Sequence, residues 1–473
     1  MKEEPQVKSQ GARVLDGAIV VFLFLFAAFA PVSIAGTQTA WLVGMLLWLA
    51  RFAFHPRPKI YRTPVDYPLL GFFILTGLSA FLSYEPIVSI GKLRAASLFT
   101  IIYLFAENVP SLRVVRLLAF TLIGSCLVSV FFTAGERLMG RGVKVFGVSE
   151  KSSLYNAGIR DGDTLLEVDG QKLRDPQELV NALSKPEKRP AAVLTYRHEM
   201  QPTYKVPRGS LLAGNTALEQ LGIGGWSRGR DWRASGLYGQ FVSYAEVLQL
   251  IIALTLGVLV SLPEKRSWIG ALLLVALAGS GCALLLTVTR ASWLGCVVST
   301  MVILLLGVPR RTIIIIGVLA IPVIFAGLFL LQQKRHVAFL DQKDESTTWR
   351  QTVWREGATL LVSKPRHLLV GVGMDSIKGH WREWDMFDHG RLPHGHMHSN
   401  LLQIALERGL PALLLWLVFL FVYSRMLWRS LRSKARLEWI ERGILLGALG
   451  GLAGFFTSGL VHYNWGDSEV VMV

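Results

Sequence analysis

The chain has 473 residues, of which 52% are hydrophobic and 17% are charged, and its mean hydropathy is +0.43. An ordinary soluble protein carries about a quarter of its residues as charged ones, so this composition argues against a soluble enzyme. The net charge of +16 does not indicate nucleic-acid binding, because much of it lies in short patches between apolar blocks. We therefore predict no nucleic-acid partner.

Apolar blocks long enough to cross about 30 Å of hydrocarbon recur along the chain. They predict about eleven transmembrane helices, at 16–34, 37–54, 67–83, 89–107, 113–133, 240–262, 268–287, 292–308, 312–331, 409–426 and 442–461. The three cysteines lie inside these blocks and give neither a disulfide framework nor the spacing of metal ligands. The first block runs into the second without a convincing cleavage site, so we predict no cleavable signal peptide.

Basic residues cluster in six loops that share one side if the spans alternate. They include Lys2, Lys8, Arg13, Arg51, Arg57, Lys59, Arg62, Arg113, Arg116, Lys265, Arg266, Arg310, Arg311 and the group from Arg425 to Arg442. Such loops face the cytoplasm. The sequence thus predicts a multi-pass protein of the bacterial inner membrane with a cytoplasmic N-terminus and with periplasmic segments at 136–239, at 332–408 and at the extreme C-terminus. The chain stops where a twelfth span could begin, so we expect the natural chain to continue.

Residues 140–208 differ from the apolar blocks because they are polar, alternating and rich in turns. The predicted elements are a strand at Val143–Val148, a hairpin at Asp169-Gly170, a helix at Gln177–Leu183 and a closing strand at Ala192–Arg197. The order of glycines, turn acids and strands in AGIRDGDTLLEVDG resembles the bacterial PDZ domain. That resemblance implies a peptide or protein ligand added at a sheet edge. The alternative is a degenerate domain that only packs on the membrane part.

Two arginines at the predicted outer ends of spans are candidates for binding an anion. Arg233 precedes the sixth span, and Arg290 lies in TVTRASWLG between the seventh and eighth. A short outward loop disfavours such a charge, so we prefer a functional role for Arg290 over that of an ordinary interfacial arginine. Lys92 and Arg94, at the outer start of the fourth span, break the same rule and are weaker candidates.

The predicted outer loop 332–408 contains the remaining candidates. Arg350 and Arg355 lie near its start, on a predicted amphipathic helix, and alternating histidines close it in HGHMHSN. Alternating histidines can bind a metal, but few acids and no cysteine accompany them, so we predict no metal site. The sequence contains no HExxH motif, which argues against a membrane metalloprotease.

Several of these segments together resemble the O-antigen ligase and polymerase family of glycan-transferring membrane proteins. TVTRASWLG is similar to the family's arginine turn between two central spans, and WRQTVWREG to the start of its large periplasmic loop. HMHSNLLQIALERGL is similar to its histidine signature, with Ser399 where an asparagine is common. HYNWGD, near the end, resembles the polar segment before the family's last span. The resemblance covers most of the membrane part, with the PDZ-like insert as an addition.

The resemblance implies transfer of a glycan from undecaprenyl pyrophosphate to a glycan, lipid A-core or protein hydroxyl acceptor, without a cofactor. Arginines can hold the departing pyrophosphate through charge-assisted hydrogen bonds, and a histidine can take the acceptor proton near neutral pH. The predicted residues are His398, with His396 as its alternative, as general base, Arg290, Arg233, Arg350 and Arg355 as pyrophosphate ligands, and Asn400, Glu407, Lys92 and Arg94 as supporting residues.

The predicted fold is an all-α polytopic membrane protein of about 11–12 transmembrane helices, GT-C-like, with an inserted small α+β PDZ-like domain. The predicted domains are 1–135, 140–208, 209–331, 332–408 and 409–473. Two other functions compete with the transferase. A transporter of the lipid-linked glycan should carry charges at mid-membrane on broken helices, and most spans lack them. A PDZ-bearing scaffold for export would not need eleven spans.

Overall fold

The structure is a computed structural model that describes residues 9–197, 201–230, 232–314, 345–434 and 436–473. The chain divides into two compact units. The first consists of Met1–Ser129, Leu237–Leu285 and Thr289–Val473, and the second of Val130–Gly236 and Leu286–Val288.

The N-terminal apolar blocks form helices, because a helix bonds its own backbone groups where lipid offers no partner. These are α1 (Gln10–Phe29), α2 (Ile34–Arg51), α3 (Asp66–Phe81), α4 (Pro86–Ala96), α5 (Ile101–Asn108) and α6 (Leu112–Met139). A short 3₁₀ turn, Ser97–Thr100, joins α4 to α5. The pair and its turn form one stretch of 23 residues with the hydropathy of a membrane span.

The described residues of the second unit form an antiparallel sheet and three short helices after the end of α6. Its elements are β1 (Arg141–Val148), α7 (Ser153–Asn156), β2 (Thr164–Val168), β3 (Gln171–Lys172), α8 (Pro176–Leu183), β4 (Ala191–Tyr196), β5 (Thr203–Val206), α9 (Ala217–Leu221) and β6 (Ile223–Gly229). The strand order is β5-β4-β2-β1-β6, with β3 paired to β2. The predicted hairpin is confirmed: Asp169 and Gly170 join β2 to β3 with positive φ angles of 49° and 79°.

Strand β6 was not predicted. It pairs with β1, so that Val145 lies opposite Trp226, and it extends the sheet past the predicted boundary at 208. Its sequence, IGGWSRG, contains three glycines and no apolar alternation, which explains why pattern alone does not reveal it. The strand ends the sheet on one side.

The remaining helices follow the sheet in the chain, and apart from Leu286 at the end of α11 they lie in the first unit. They are α10 (Phe241–Ser261), α11 (Trp268–Leu286), α12 (Arg290–Gly307), α13 (Glu345–Val362), α14 (Pro365–Leu369), α15 (Ser376–His380), α16 (Phe387–Gly390), α17 (Asn400–Arg408), α18 (Leu410–Leu431), α19 (Trp439–Gly459) and α20 (Ser468–Val471). A 3₁₀ turn, Asn464–Gly466, precedes α20.

The predicted membrane architecture is confirmed. Eight helical stretches among the described residues are long and apolar enough to cross a membrane. The predicted spans at 37–54 and 67–83 correspond to α2 and α3. Helix α2 has 18 residues, whereas α3 has 16 and is a shorter apolar helix. The predicted span at 312–331 lies outside the described residues from 315 onward.

Helices α10, α12 and α19 pack together through small residues. A Cβ on Gly447 of α19 would lie 2.7 Å from the Leu254 Cα of α10, and one on Gly443 would lie 2.7 Å from the Val258 Cα. Glycines at such positions let helix backbones approach closely, which is how membrane helices gain packing energy without a hydrophobic drive. Among the spans that the structure describes, helix α10 is accordingly the most buried, with 78% of its apolar window inside the protein.

We expect Gly447→Ala to lower the melting temperature, because the added Cβ would also lie 3.0 Å from the Ala253 carbonyl. Overpacking of this kind costs about 1–3 kcal/mol. Gly281→Ala on α11 is the matched control, since its Cβ meets nothing within 4 Å and alanine favours a helix by up to about 1 kcal/mol. Thermal unfolding in one detergent compares the two variants; equal melting temperatures would contradict the close packing.

Candidate active site

Polar side chains from four segments of the first unit meet at one cavity of about 130 Å³, here called the polar cavity. The segments are α4, the turn into α15, residues 396–408 and the chain after α19. The polar lining consists of Lys92, Asp375, Lys378, His396, Glu407, Arg408, Tyr463 and Ser468. Phe72, Phe99 and Trp465 form part of an apolar wall. The cavity therefore suits a ligand with both charged and apolar parts.

The carboxylate of Glu407 lies at the centre of this polar group. Its Oε1 accepts hydrogen bonds from Gln403 Nε2 at 2.8 Å and from the Asp375 backbone N–H at 3.0 Å. Its Oε2 accepts from the Tyr463 hydroxyl at 3.3 Å and pairs with Arg408 Nη1 at 3.3 Å. The side chains of Glu407 and Arg408 are 5% and 8% exposed, so each charge offsets the lost hydration of the other. Burial raises the pKa of Tyr463, which keeps its hydroxyl protonated.

Two lysines bring positive charge to the same cavity. Lys92 Nζ lies 3.2 Å from Asp375 Oδ2, and Lys378 Nζ lies 2.8 Å from Asp375 Oδ1. The lysine side chains are 51% and 45% exposed, so their ammonium groups remain accessible to an anion. One carboxylate shared between two lysines leaves this part of the cavity with a net positive charge.

His398 lies beside the polar cavity among aromatic rings. Its ring centroid is 4.8 Å from that of Trp349, 5.6 Å from that of His462 and 6.3 Å from that of His396, which lines the cavity. Burial, then the charge of Arg350, then His396 lower the pKa of His398 to about 4. The imidazole is therefore neutral at pH 7 and has a lone pair available for a proton.

The backbone on both sides of His398 is held firmly, although His398 itself has a positive φ of 46°. The N–H of Met397 donates to Gln403 Oε1 at 2.6 Å, and the Met397 carbonyl accepts from Trp354 Nε1 at 2.6 Å. Ser399 caps α17 by accepting from the Leu402 N–H. The sequence after His398 thus starts a helix that ends at the Glu407–Arg408 pair.

Among the other predicted residues, Lys92 and His396 line the polar cavity, whereas Arg94 on α4 is exposed and does not. Arg350 is half-buried on α13, and its charge acts on His398. Arg355 is exposed on the same helix. His398, His396, Glu407, Arg350 and Lys92 are thus brought to one region of the first unit.

The remaining two predicted arginines lie on other elements. Arg290 is half-buried and is the first residue of α12, in the first unit. Arg233 belongs to the second unit, where its Nε and Nη2 donate to the carbonyls of Thr287 and Val288, each at 2.8 Å. Its guanidinium therefore holds the turn at these two residues.

Sequence reasoning missed five polar residues of this cavity: Asp375, Lys378, Arg408, Tyr463 and Ser468. Tyr463 lies in HYNWGD, a segment that the family resemblance includes without a role for its tyrosine. The others carry no pattern of their own, because each acts through partners that spacing does not reveal. Lys92 and Asp375, for example, are paired across more than half of the chain.

The alternating histidines do not converge on one point. His394 stacks on Trp381 with ring centroids 4.0 Å apart, while the ring of His396 lies 5.5 Å from that of Tyr463. Within the described part of the chain, no group of three or more histidine, cysteine or acidic side chains is arranged to hold a metal ion.

We expect His398 to titrate near pH 4, below the ordinary histidine value of 6.5. It stays neutral as the pH falls from 7 to about 5 and gains a proton only as the pH passes through about 4. Arg350→Gln should raise this pKa by removing a nearby positive charge, whereas Arg355→Gln, exposed on the same helix, should leave it unchanged. NMR of ¹³C-histidine-labelled protein measures the midpoint, with His398→Gln to assign the signal; a midpoint near 6.5 would contradict the structure.

Comparisons with known proteins bear on both units. Residues 272–417 match the family model described as O-antigen ligase, and residues 145–197 match that of the PDZ domain. None of the proteins with curated descriptions matches the chain. The first match contains Arg290, Arg350, His398 and Glu407. The chain is a multi-pass membrane protein in which residues 272–417 match an O-antigen ligase domain and residues 145–197 match a PDZ domain. The first match supports the role of a membrane glycan ligase or polymerase.

Proposed function

We propose that this protein transfers a glycan from an undecaprenyl pyrophosphate donor to a hydroxyl acceptor at the periplasmic face of the bacterial inner membrane. The acceptor is a glycan, a lipid A-core or a protein. One observation carries the proposal: the neutral imidazole of His398 lies beside a cavity with two accessible lysines, inside the segment that matches the O-antigen ligase family.

The proposed reaction is a displacement at the anomeric carbon of the donor sugar. The acceptor oxygen forms a bond to this carbon while the bond from the carbon to the pyrophosphate oxygen breaks. His398 takes the acceptor's proton, and the pyrophosphate leaves with the bonding electron pair on the lipid. General-base catalysis of this kind contributes about 10²–10⁴-fold.

Positive side chains stabilise the pyrophosphate as it gains charge. We assign this role to Arg290 and Arg350 of the first unit, because a guanidinium can form two parallel hydrogen bonds to phosphate oxygens. Lys92 and Lys378 support the assignment of an anion to this region, since both reach the polar cavity with exposed ammonium groups. Donors aimed at developing charge are worth about 2.7–4 kcal/mol each.

An apolar cavity of about 550 Å³ supports a lipid donor. It shares Trp465 and Val471 with the polar cavity, and most of its lining is aliphatic or aromatic. An isoprenoid chain in the apolar cavity would leave its pyrophosphate next to Lys92 and Lys378. The basic loops of the sequence support a periplasmic location for this end of the bundle.

We expect His398→Ala to abolish transfer while expression and membrane insertion remain normal. Arg290→Lys keeps the charge but loses the planar fork, so we expect a drop of at least about tenfold. The assay uses purified protein in lipid nanodiscs, the lipid-linked glycan extracted from a strain that lacks the gene, and an envelope extract of the same strain as the source of the acceptor. Loss of this precursor and release of undecaprenyl pyrophosphate report transfer.

The matched control for the histidine is His389→Ala. His389 lies in the same region of the chain, but its side chain is 61% exposed and pairs only with Asp385 in the described contacts. We expect this variant to transfer at the normal rate. Retained activity in His398→Ala would move the base to another residue, and full activity in Arg290→Lys would count against bidentate recognition.

We also propose that the PDZ domain binds an extended peptide along β6. A strand at the end of a sheet offers unpaired backbone groups on its outer side. The middle of β6 is open to solvent, with Trp226 37% exposed and Arg228 exposed as well. Backbone pairing would provide affinity, and these two side chains would favour peptides with an apolar and an acidic residue.

We expect Trp226→Ser and Arg228→Ser to weaken peptide binding by the full-length protein. Phe146→Ser is the control, because Phe146 is 40% exposed on β1, which is already paired on both sides. Fluorescence anisotropy with a library of labelled C-terminal peptides from envelope proteins measures the affinity. A library without a binder, or an equal loss in the Phe146 variant, would contradict binding at β6.

A further inference from the structure

A carboxylate outside the polar cavity is completely buried within a membrane helix. Glu246 of α10 has no exposed surface. Its Oε1 accepts a hydrogen bond from Ser292 Oγ at 2.9 Å, and its Oε2 accepts from Ser458 Oγ at 2.8 Å and from Asn464 Nδ2 at 3.2 Å. These donors come from α12, α19 and the 3₁₀ turn after α19. An ionisable residue inside a membrane span is costly to keep, and such residues mark function by default.

The hydrogen bonds continue from Glu246 toward His398. Asn464 Oδ1 accepts from Asn400 Nδ2 at 2.6 Å, and Asn400 Oδ1 accepts from the Trp465 N–H at 3.1 Å. Both asparagines are 1% exposed. Asn400 is the first residue of α17 and follows His398 by two positions, so its side chain fixes the end of the segment that carries the proposed base.

The other side of the network reaches the helix of Arg290. Ser292 lies in the first turn of α12, two residues after Arg290. Its hydroxyl is completely buried and donates to Glu246. Glu246 is therefore connected by hydrogen bonds to two helix starts. One is the first turn of α12, which carries Arg290, and the other is the first residue of α17, which follows His398.

The structure gives the direction of these bonds. Both oxygens of Glu246 accept, and Asn464 presents its amide nitrogen to Glu246 and its oxygen to Asn400. That choice in turn directs the Asn400 amide nitrogen to Asn464 and leaves its oxygen for the Trp465 N–H. A buried network with every member satisfied rigidifies the elements that it connects.

We propose that Glu246 is a positioning residue that fixes the relative placement of His398 and Arg290. The inference rests on the proposed function, because it assigns Glu246 a part in glycan transfer. Glu246 touches neither of the two residues directly in the described contacts and acts through Asn464, Asn400 and Ser292. Its loss should therefore lower kcat and leave KM nearly unchanged, since a misplacement of about 1 Å can cost about 100-fold in rate.

The test exchanges the hydrogen-bonding groups within the network. Asn464→Asp places a second carboxyl against Glu246, and Glu246→Gln in the same chain restores a donor–acceptor pair. In the double variant, the amide introduced at position 246 can donate to the carboxylate introduced at position 464, which still accepts from Asn400. Glu246→Met removes all acceptors at nearly constant volume. Gln249→Met is the matched control, because Gln249 is equally buried one turn along the same helix and does not belong to the network.

We expect Asn464→Asp and Glu246→Met each to lower kcat at least about tenfold in the nanodisc assay with extracted lipid-linked glycan. Glu246→Gln with Asn464→Asp should return kcat to within about threefold of the wild type. Gln249→Met should transfer normally. Melting temperatures are measured alongside, and if Glu246→Met fails to fold, the Asn464→Asp variant and its rescue decide the question.

Full turnover in Asn464→Asp would overturn the inference, as would a double variant no better than Asn464→Asp alone. An equal loss of kcat in Gln249→Met would also overturn it, since burial alone would then explain the effect. These outcomes differ from a failure of the proposed function. In that case the wild-type protein itself would transfer no glycan from the extracted donor.

Discussion

The residue on which the site most depends is Glu407, because its backbone and side chain together connect α3 to the segment before α15. Its carbonyl accepts from Ser79 Oγ of α3 at 2.7 Å and from the Gly373 N–H at 3.0 Å. Its carboxylate pairs with Arg408 and takes the backbone N–H of Asp375. Removal of either charge would leave the other buried and unpaired, at a cost of about 3–5 kcal/mol. The position of the polar cavity follows from this pair.

The sequence predicted the elements whose signal is local. Apolar blocks predicted the membrane helices, and the Asp169-Gly170 turn predicted the hairpin of the PDZ domain. The described networks depend instead on residues far apart in the chain, which no spacing reveals. Glu246 and Asn464 are 218 positions apart in the chain. Lys92 pairs with Asp375, and several membrane spans lie between these two residues in the sequence. Strand β6 was missed for a related reason, because it is defined by its pairing with β1 and has little pattern of its own.

The low pKa of His398 has a consequence for the proposed chemistry. A base with a pKa of about 4 is fully neutral at pH 7, but it accepts a proton only weakly. Such a base suits a reaction in which the leaving group departs early, since the acceptor hydroxyl becomes strongly acidic once its oxygen bonds to the anomeric carbon. Pyrophosphate, held by cations, is a leaving group of that kind. The burial that weakens His398 as a base also keeps water from competing with the acceptor.

The surroundings of Glu246 also favour a transferase over a transporter of the same lipid-linked glycan. Transporters hold their cargo on broken helices near the middle of the membrane. Glu246 lies on the second turn of α10, which continues without a break from Phe241 to Ser261, and its oxygens are already occupied by Ser292, Ser458 and Asn464. A rocking motion of α10 against α12 and α19 would have to break these bonds and separate backbones that touch through glycine. Helices α10, α12 and α19 therefore resist separation. This favours a reaction at one end of the helix bundle over transport of the glycan through it.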